Sequence, residues 1–209
     1  MKYGELPKEL GIFDIKCTEM MFYQYLPLKM PNEMWPIYEP RLKCFDKLIS
    51  IICVDYISEF GLLNYANSYM YLTAKYLYQT PNCSFNRMGW HSDGFLTDDI
   101  NYIWCDKDPT IFNKTDFKLT LDDQISLLEM DQQAVKSNDM VYKNNQLLRL
   151  NQFNIHKVAP VINGGMRAFL KISFSKDKYD LIGNSHNYLL DYDWEMKPRK
   201  EERNIPQTI

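Results

Sequence analysis

The hydrophobic pattern changes its period near residue 60, and this change limits the fold more than any other feature of the sequence. Between Pro40 and Phe60, apolar residues recur at spacings of three and four, which is typical of a helix with one buried face. Pro40 suits the first turn of such a helix, and Gly61 supplies its end. From Tyr69 to Tyr78 the side chains instead alternate between two faces, which predicts a strand.

The signals further along the chain predict mostly strands. Residues 100–105 form one, residues 140–155 form another that a turn interrupts at 143–145, and residues 122–130 are typical of a helix. Asn163-Gly164 separates two apolar runs, 158–162 and 166–174, and is a strong hairpin signal. We therefore expect a single domain of 209 residues, mainly antiparallel β with helical cover.

Residues 166–174 present two different faces. One face carries Ala168, Leu170, Ile172 and Phe174, and the other carries Arg167, Phe169, Lys171 and Ser173. The apolar face is expected to pack beneath the helix, so the polar face points into a site. If Asn163 and Gly164 form a two-residue loop, His156 shares this polar face. Lys171 then requires an acidic partner, or a register shift at the glycines.

Composition excludes several classes of protein. The net charge of -3 and the lack of basic stretches interleaved with aromatic residues argue against a large nucleic-acid surface. No apolar run reaches the roughly 18 residues of a membrane helix, and no signal peptide is recognisable at the start. Five cysteines without a C-x-x-C motif are expected to be reduced, as in a cytoplasmic protein. The bias to Asn, Lys, Tyr and Ile is typical of phages and low-GC bacteria.

Two histidines and one aspartate form the candidate metal site. His91 and Asp93 are two residues apart, so on an extended backbone both side chains point to the same side. An isolated H-x-D motif is more often a loop histidine followed by a turn aspartate. With His156 added, a metal site becomes the better interpretation, because two imidazoles and one carboxylate are the donor set of non-haem Fe(II) oxygenases. Arg167 follows it, and a guanidinium binds a buried carboxylate through two hydrogen bonds.

Together these residues resemble the iron(II)- and 2-oxoglutarate-dependent dioxygenases. Residues 156–167 are close to the pattern of prolyl-hydroxylase-like members, with one extra residue at the turn. The resemblance covers residues 69–174 and implies a double-stranded β-helix core of the jelly-roll or cupin-like type. Residues 1–68 would form an N-terminal cover whose helix packs on the major sheet, and residues 175–209 a C-terminal extension.

The resemblance also implies a reaction. His91, Asp93 and His156 would hold Fe(II), while Arg167 would hold 2-oxoglutarate, assisted by Ser173 and Tyr71. With O2, the products would be succinate, CO2 and a hydroxylated substrate. Halogenating members lack the carboxylate ligand, so Asp93 favours a hydroxylase.

Substrate contacts are less constrained by the sequence. Candidates are Arg87 beside the metal motif, Lys75 on the polar face of its strand, and His186. For each of the three, an ordinary structural or solvated role is the alternative. The substrate is expected to be a small molecule or amino acid. A nucleobase or nucleic-acid substrate, and a non-catalytic binding or sensor module of the same fold, remain as alternatives.

Overall fold

Two antiparallel sheets and a helical layer form the described part of the chain, which in this computed structural model comprises residues 2–81, 83–84, 88–199 and 207–208. The strands are β1 (Lys8–Ile12), β2 (Met21–Lys29), β3 (Tyr69–Gln79), β4 (Cys83–Ser84), β5 (Ile100–Cys105), β6 (Ile111–Asn113), β7 (Asp139–Val141), β8 (Gln146–Leu150), β9 (His156–Lys157), β10 (Gly165–Ser175) and β11 (Gln207–Thr208). The α-helices are α1 (Asp46–Phe60), α2 (Leu62–Asn67) and α3 (Asp123–Gln133).

The large sheet has six strands in the order β1-β8-β5-β10-β3-β2, and the small sheet has three in the order β7-β6-β9. From β3 to β10 the chain passes repeatedly between them: β3, β5, β8 and β10 belong to the large sheet, and β6, β7 and β9 to the small one. A bridge between His91 and His156 extends the small sheet. The short strands β4 and β11 pair with each other. A mainly β fold is thus confirmed.

Helix α1 covers one face of the large sheet. Its buried residues Ile49 and Ile52 belong to the same core as Leu170 and Ile172 of β10, so the predicted packing of the apolar face is confirmed. The helix begins later than predicted, because residues Pro40–Phe45 form a 3-10 turn. In a 3-10 helix, residues three apart lie on one side, and this conformation buries both Leu42 and Phe45.

The predicted hairpin at Asn163-Gly164 is wrong. Residues 158–164 form no strand, and neither Asn163 nor Gly164 has the positive φ that a two-residue hairpin turn needs. Both edges of β10 are already occupied, since Leu170 lies opposite Ala74 of β3 and Trp104 of β5. His156 therefore pairs with β6 in the small sheet, and residues 158–164 cross from one sheet to the other.

Residues 176–199 fold back against β2 and β3 of the large sheet. Ser185 exchanges two hydrogen bonds with Gln24 of β2, one through its backbone N–H and one through its hydroxyl. Leu181 and Lys197 form a parallel bridge that closes this segment into a loop. The predicted C-terminal extension is thus a wall of the structure as far as residue 199. Within the described ranges, no helix has the length and apolar character needed to cross a membrane.

The packing of α1 on the sheet leads to a stability prediction. Ile52 is fully buried, so Ile52→Ala should lower the free energy of unfolding by about 2–5 kcal/mol, because it removes apolar contacts and leaves a cavity. Val54 lies on the same helix but is 68% exposed, so Val54→Ala should change it by less than about 0.5 kcal/mol. Urea denaturation of both variants measures the difference. Equal losses would show that this face of α1 is not held against the sheet.

Candidate metal centre

A pair of backbone hydrogen bonds brings the two candidate histidine ligands together. The N–H of His91 donates to the carbonyl of His156, and the N–H of His156 donates to the carbonyl of His91, both at 2.9 Å. The imidazole centroids are 4.5 Å apart. Residues far apart in the sequence therefore place their side chains side by side on one face of the small sheet.

Each imidazole is oriented by a backbone carbonyl. Nδ1 of His91 lies 3.0 Å from the carbonyl oxygen of Gly89, and Nδ1 of His156 lies 2.9 Å from that of Asn154. A carbonyl oxygen only accepts, so each Nδ1 carries the proton and donates it. In a metal complex, Nε2 of each ring would then be the ligand atom, which is the arrangement that metal-binding histidines use.

Asp93 completes the group. One ligand atom from each of His91, Asp93 and His156 lies within 4.8 Å of the other two, as the H-x-D spacing predicted. Asp93 Oδ2 is 3.6 Å from Nε2 of His156 and 2.7 Å from Nζ of Lys171. Burial by itself raises the pKa of the Asp93 carboxyl, but the ammonium of Lys171, together with the neighbouring His156 and His91, outweighs burial and holds the pKa well below its usual range.

The donor set fits a divalent transition metal. Two neutral imidazoles and one ionised carboxylate, converging from one side, suit Fe(II) and related ions and leave other coordination positions open. The Lys171 ion pair shows that the sheet already brings a positive charge to Asp93. The acidic partner that the sequence required for Lys171 is therefore a candidate metal ligand.

A cavity of about 300 Å³ lies beside these ligands, with the polar face of the large sheet as its floor. The floor residues are Thr73, Lys75, Asn101, Ile103, Phe169 and Lys171. Strand register explains their proximity, because Lys171 lies opposite Thr73 on β3 and Ile103 on β5, and Phe169 lies opposite Lys75. The sequence-predicted division of β10 into an apolar and a polar face is confirmed.

Two lysines give the floor a positive character. Lys75 is 4% exposed, and burial, followed by the charges of Arg167 and Lys171, lowers its pKa to about 7. An anion placed between Lys75 and Lys171 would relieve their repulsion and the cost of burying an ammonium. The floor can therefore hold a carboxylate next to the candidate metal ligands.

Arg167 is engaged elsewhere. Its Nε donates to the carbonyl of Lys107 at 2.8 Å, and a terminal nitrogen donates to the carbonyl of Asp108 at 3.0 Å. It does not line the cavity. The sequence predicted a guanidinium aimed at a cosubstrate carboxylate, whereas these contacts fix the loop between β5 and β6.

Two further predicted cosubstrate residues also make structural contacts. The hydroxyl of Tyr71 donates to the carbonyl of Asp177 and accepts from the N–H of Tyr179, which anchors the C-terminal wall. Ser173 donates to the side-chain oxygen of Asn101 at 2.6 Å. Of this pair only Asn101 lines the cavity, so Ser173 orients a cavity residue.

The predicted substrate residues are divided. Lys75 lines the cavity, as described above. His186 does not; its ring stacks on Tyr192 with centroids 4.5 Å apart. Arg87 lies outside the described residues. Sequence reasoning missed Tyr25, Asp99 and Tyr179, which also line the cavity.

Comparisons with known proteins identify no family for this chain. No protein-family model matches the sequence, and no curated protein is significantly similar to it. The site is therefore interpreted from its own geometry.

Metal binding can be tested on the aspartate. Asp93→Asn removes the charged ligand and should weaken Co(II) binding by at least about a hundredfold, since even indirect contacts to metal ligands contribute ten- to a hundredfold. Asp98→Asn removes an exposed carboxylate from the same loop and should leave Co(II) affinity within threefold. Titration of the Co(II) absorption bands measures both variants. Equal affinities in the two variants would remove Asp93 from the ligand set.

Lys75 predicts a pH dependence of anion binding. Because its pKa is lowered to about 7, the Lys75 side chain is partly neutral at pH 7. A bound anion favours the charged ammonium form. Anion binding above pH 7 therefore requires Lys75 to take up a proton. The affinity for succinate should therefore fall as pH rises from 7 to 9, by up to about tenfold per unit. Lys75→Arg keeps the charge and should flatten the profile. Calorimetric titrations with identical slopes for both proteins would contradict this assignment.

Proposed function

We propose that this protein is an Fe(II)- and 2-oxoglutarate-dependent dioxygenase that hydroxylates a small molecule. The observation that carries the proposal is the convergence of His91, Asp93 and His156 beside a cavity with a cationic floor. This donor set is typical of oxygenases that bind substrate and oxygen at the open positions of one metal. A cytoplasmic location is part of the same proposal.

We also propose that the two sheets form a double-stranded β-helix. The support is the strand order, because the chain passes back and forth between the large and small sheets from β3 to β10. In such a fold the cavity lies between the sheets, and both histidines belong to its small-sheet side.

In the proposed reaction, the residues of this chain would have different roles. His91, Asp93 and His156 hold Fe(II), which with 2-oxoglutarate and O2 supplies the oxidative decarboxylation and the oxygen for hydroxylation. Lys171 neutralises Asp93 in the metal-free chain, and with Lys75 it can bind a cosubstrate carboxylate. The two lysines thus take the role that sequence analysis predicted for Arg167.

The C-terminal wall would limit the access of water. Tyr179 and Leu181 line the cavity from this segment, and Tyr71 fixes the wall by its two hydrogen bonds. A closed cavity strengthens electrostatic contacts within it and protects reactive species from water. A volume of about 300 Å³ is at the lower end for ligand pockets and favours a small substrate.

A non-catalytic binding module is the second candidate. The observation that favours it is the 2.7 Å ion pair between Lys171 and Asp93, which satisfies the carboxylate without a metal. Such a module would bind an anion but would not consume 2-oxoglutarate. A nucleic-acid substrate stays the alternative within the enzyme hypothesis.

Lys171→Met tests the anion site, and succinate formation by the wild-type protein distinguishes the two functions. Removing the ammonium frees Asp93 and should raise Co(II) affinity, while 2-oxoglutarate affinity should fall at least tenfold. Arg167→Lys is the matched control and should change 2-oxoglutarate affinity by less than threefold, because Arg167 contacts backbone carbonyls outside the cavity. The wild-type protein with Fe(II) and O2 should convert 2-oxoglutarate to succinate. Anion binding without any succinate would favour the binding module instead.

A further inference from the structure

The outer half of the cavity is formed by two segments that the metal site does not use. One is an irregular part of β2 at Gln24 and Tyr25, and the other is the C-terminal wall with Tyr179. Both lie on the polar face of the large sheet.

Tyr25 is held in an uncommon conformation. A bulge in β2 between Tyr23 and Leu26 inserts an extra residue relative to β3, and Tyr25 has a φ of 47°. Left-handed backbone at an aromatic residue is strained and persists only where its surroundings fix it. The fixing contact is a hydrogen bond from the N–H of Tyr25 to the hydroxyl of Thr73 at 3.1 Å. The bulge re-aims the side chain into the cavity.

Asp99 lies nearby and has no cationic partner among the described residues. The residue is 6% exposed and lines the cavity. Its Oδ2 accepts a 2.6 Å hydrogen bond from the hydroxyl of Tyr179. Oδ1 accepts no hydrogen bond from the described residues and keeps some contact with solvent. Among those residues, no Lys, Arg or His nitrogen lies within 4.0 Å of this carboxylate.

The nearby cations are committed elsewhere. Lys171 pairs with Asp93, and its Nζ also lies 5.6 Å from the ring centroid of Tyr25. Arg199 donates from Nε to the carbonyl of Ile182 at 2.7 Å and also contacts the side chain of Asn184. The Tyr25 ring therefore already accepts an ammonium on its face, while Asp99 has none.

We propose that this outer half binds a protonated amine of the substrate, with the ammonium on Asp99 and against the rings of Tyr25 and Tyr179. A buried carboxylate needs a charged or hydrogen-bonding partner, and an alkylammonium supplies both. The tyrosine rings stand edge to face with centroids 5.1 Å apart, and Tyr71 stacks on one face of Tyr179 at 4.2 Å. The ammonium would therefore approach the remaining aromatic surface of the pair, which attracts a cation. The substrate class is thus an aliphatic amine or amino acid. The inference relies on the proposed function only in treating the ligand as a substrate.

The test compares two probes of equal length, 1,5-diaminopentane and 1,5-pentanediol, by calorimetric titration of the full chain at pH 7. The diamine should bind at least tenfold more tightly than the diol. Asp99→Asn should lower diamine affinity at least tenfold without affecting the diol. Equal binding of the two probes by the wild-type protein, or unchanged diamine binding in Asp99→Asn, would overturn the proposal.

Three further variants separate ligand binding from other roles. Tyr179→Phe removes the hydroxyl donor but keeps the carboxylate of Asp99, so diamine affinity should stay within threefold. A loss equal to that of Asp99→Asn would make Asp99 a structural anchor.

Tyr25→Leu should lower diamine affinity severalfold, and it can be measured even if Asp99→Asn fails to fold. Unchanged diamine affinity in Tyr25→Leu would contradict the proposal. Asp93→Asn should lose Co(II) binding but retain the diamine. A chain that binds diamine but produces no succinate would reject the proposed reaction alone.

Discussion

The reciprocal hydrogen bonds between His91 and His156 are the constraint on which the site depends. They join the segment after β3 to the strand before the crossing to β10, at 2.9 Å in each direction. Because the pairing is through the backbone, it fixes the separation of the two imidazoles before any ligand is present. The Nδ1 contacts to Gly89 and Asn154 then fix the rotation of each ring.

Strand β10 connects this site to the rest of the fold. It pairs with β3 on one edge and β5 on the other, so its alternating side chains cannot slip to the opposite face. One face anchors α1 through the core, and the other carries Lys171 to Asp93. The helix layer therefore stabilises the floor of the cavity, although none of its residues lines it.

The sequence predicted those features of the fold and site that depend on hydrophobic periodicity and on the spacing of residues. The two faces of β10, the helix over the large sheet and the grouping of His91, Asp93 and His156 are all found in the structure. The hairpin prediction at Asn163-Gly164 failed because a turn dipeptide reports only local preference. Pairing of β10 with β3 and β5 is decided by contacts distant in sequence.

Other features could not be read from the sequence. The direction of Arg167 depends on the loop carbonyls of Lys107 and Asp108, which no pattern locates. The contact of Asp99 with Tyr179 depends on the C-terminal segment folding back to the cavity. A bulge such as that at Tyr25 leaves no periodic signal, since β2 shifts its register against β3 twice within nine residues.

A crystal structure grown with Mn(II), with anomalous differences recorded, tests the central claim most directly. The account predicts one strong peak about 2.0–2.3 Å from Nε2 of His91, Nε2 of His156 and a carboxylate oxygen of Asp93. Lys171 should then have left its contact with Asp93. A peak elsewhere, or no peak with the Lys171 to Asp93 ion pair intact at saturating Mn(II), would contradict the metal centre and the function built on it.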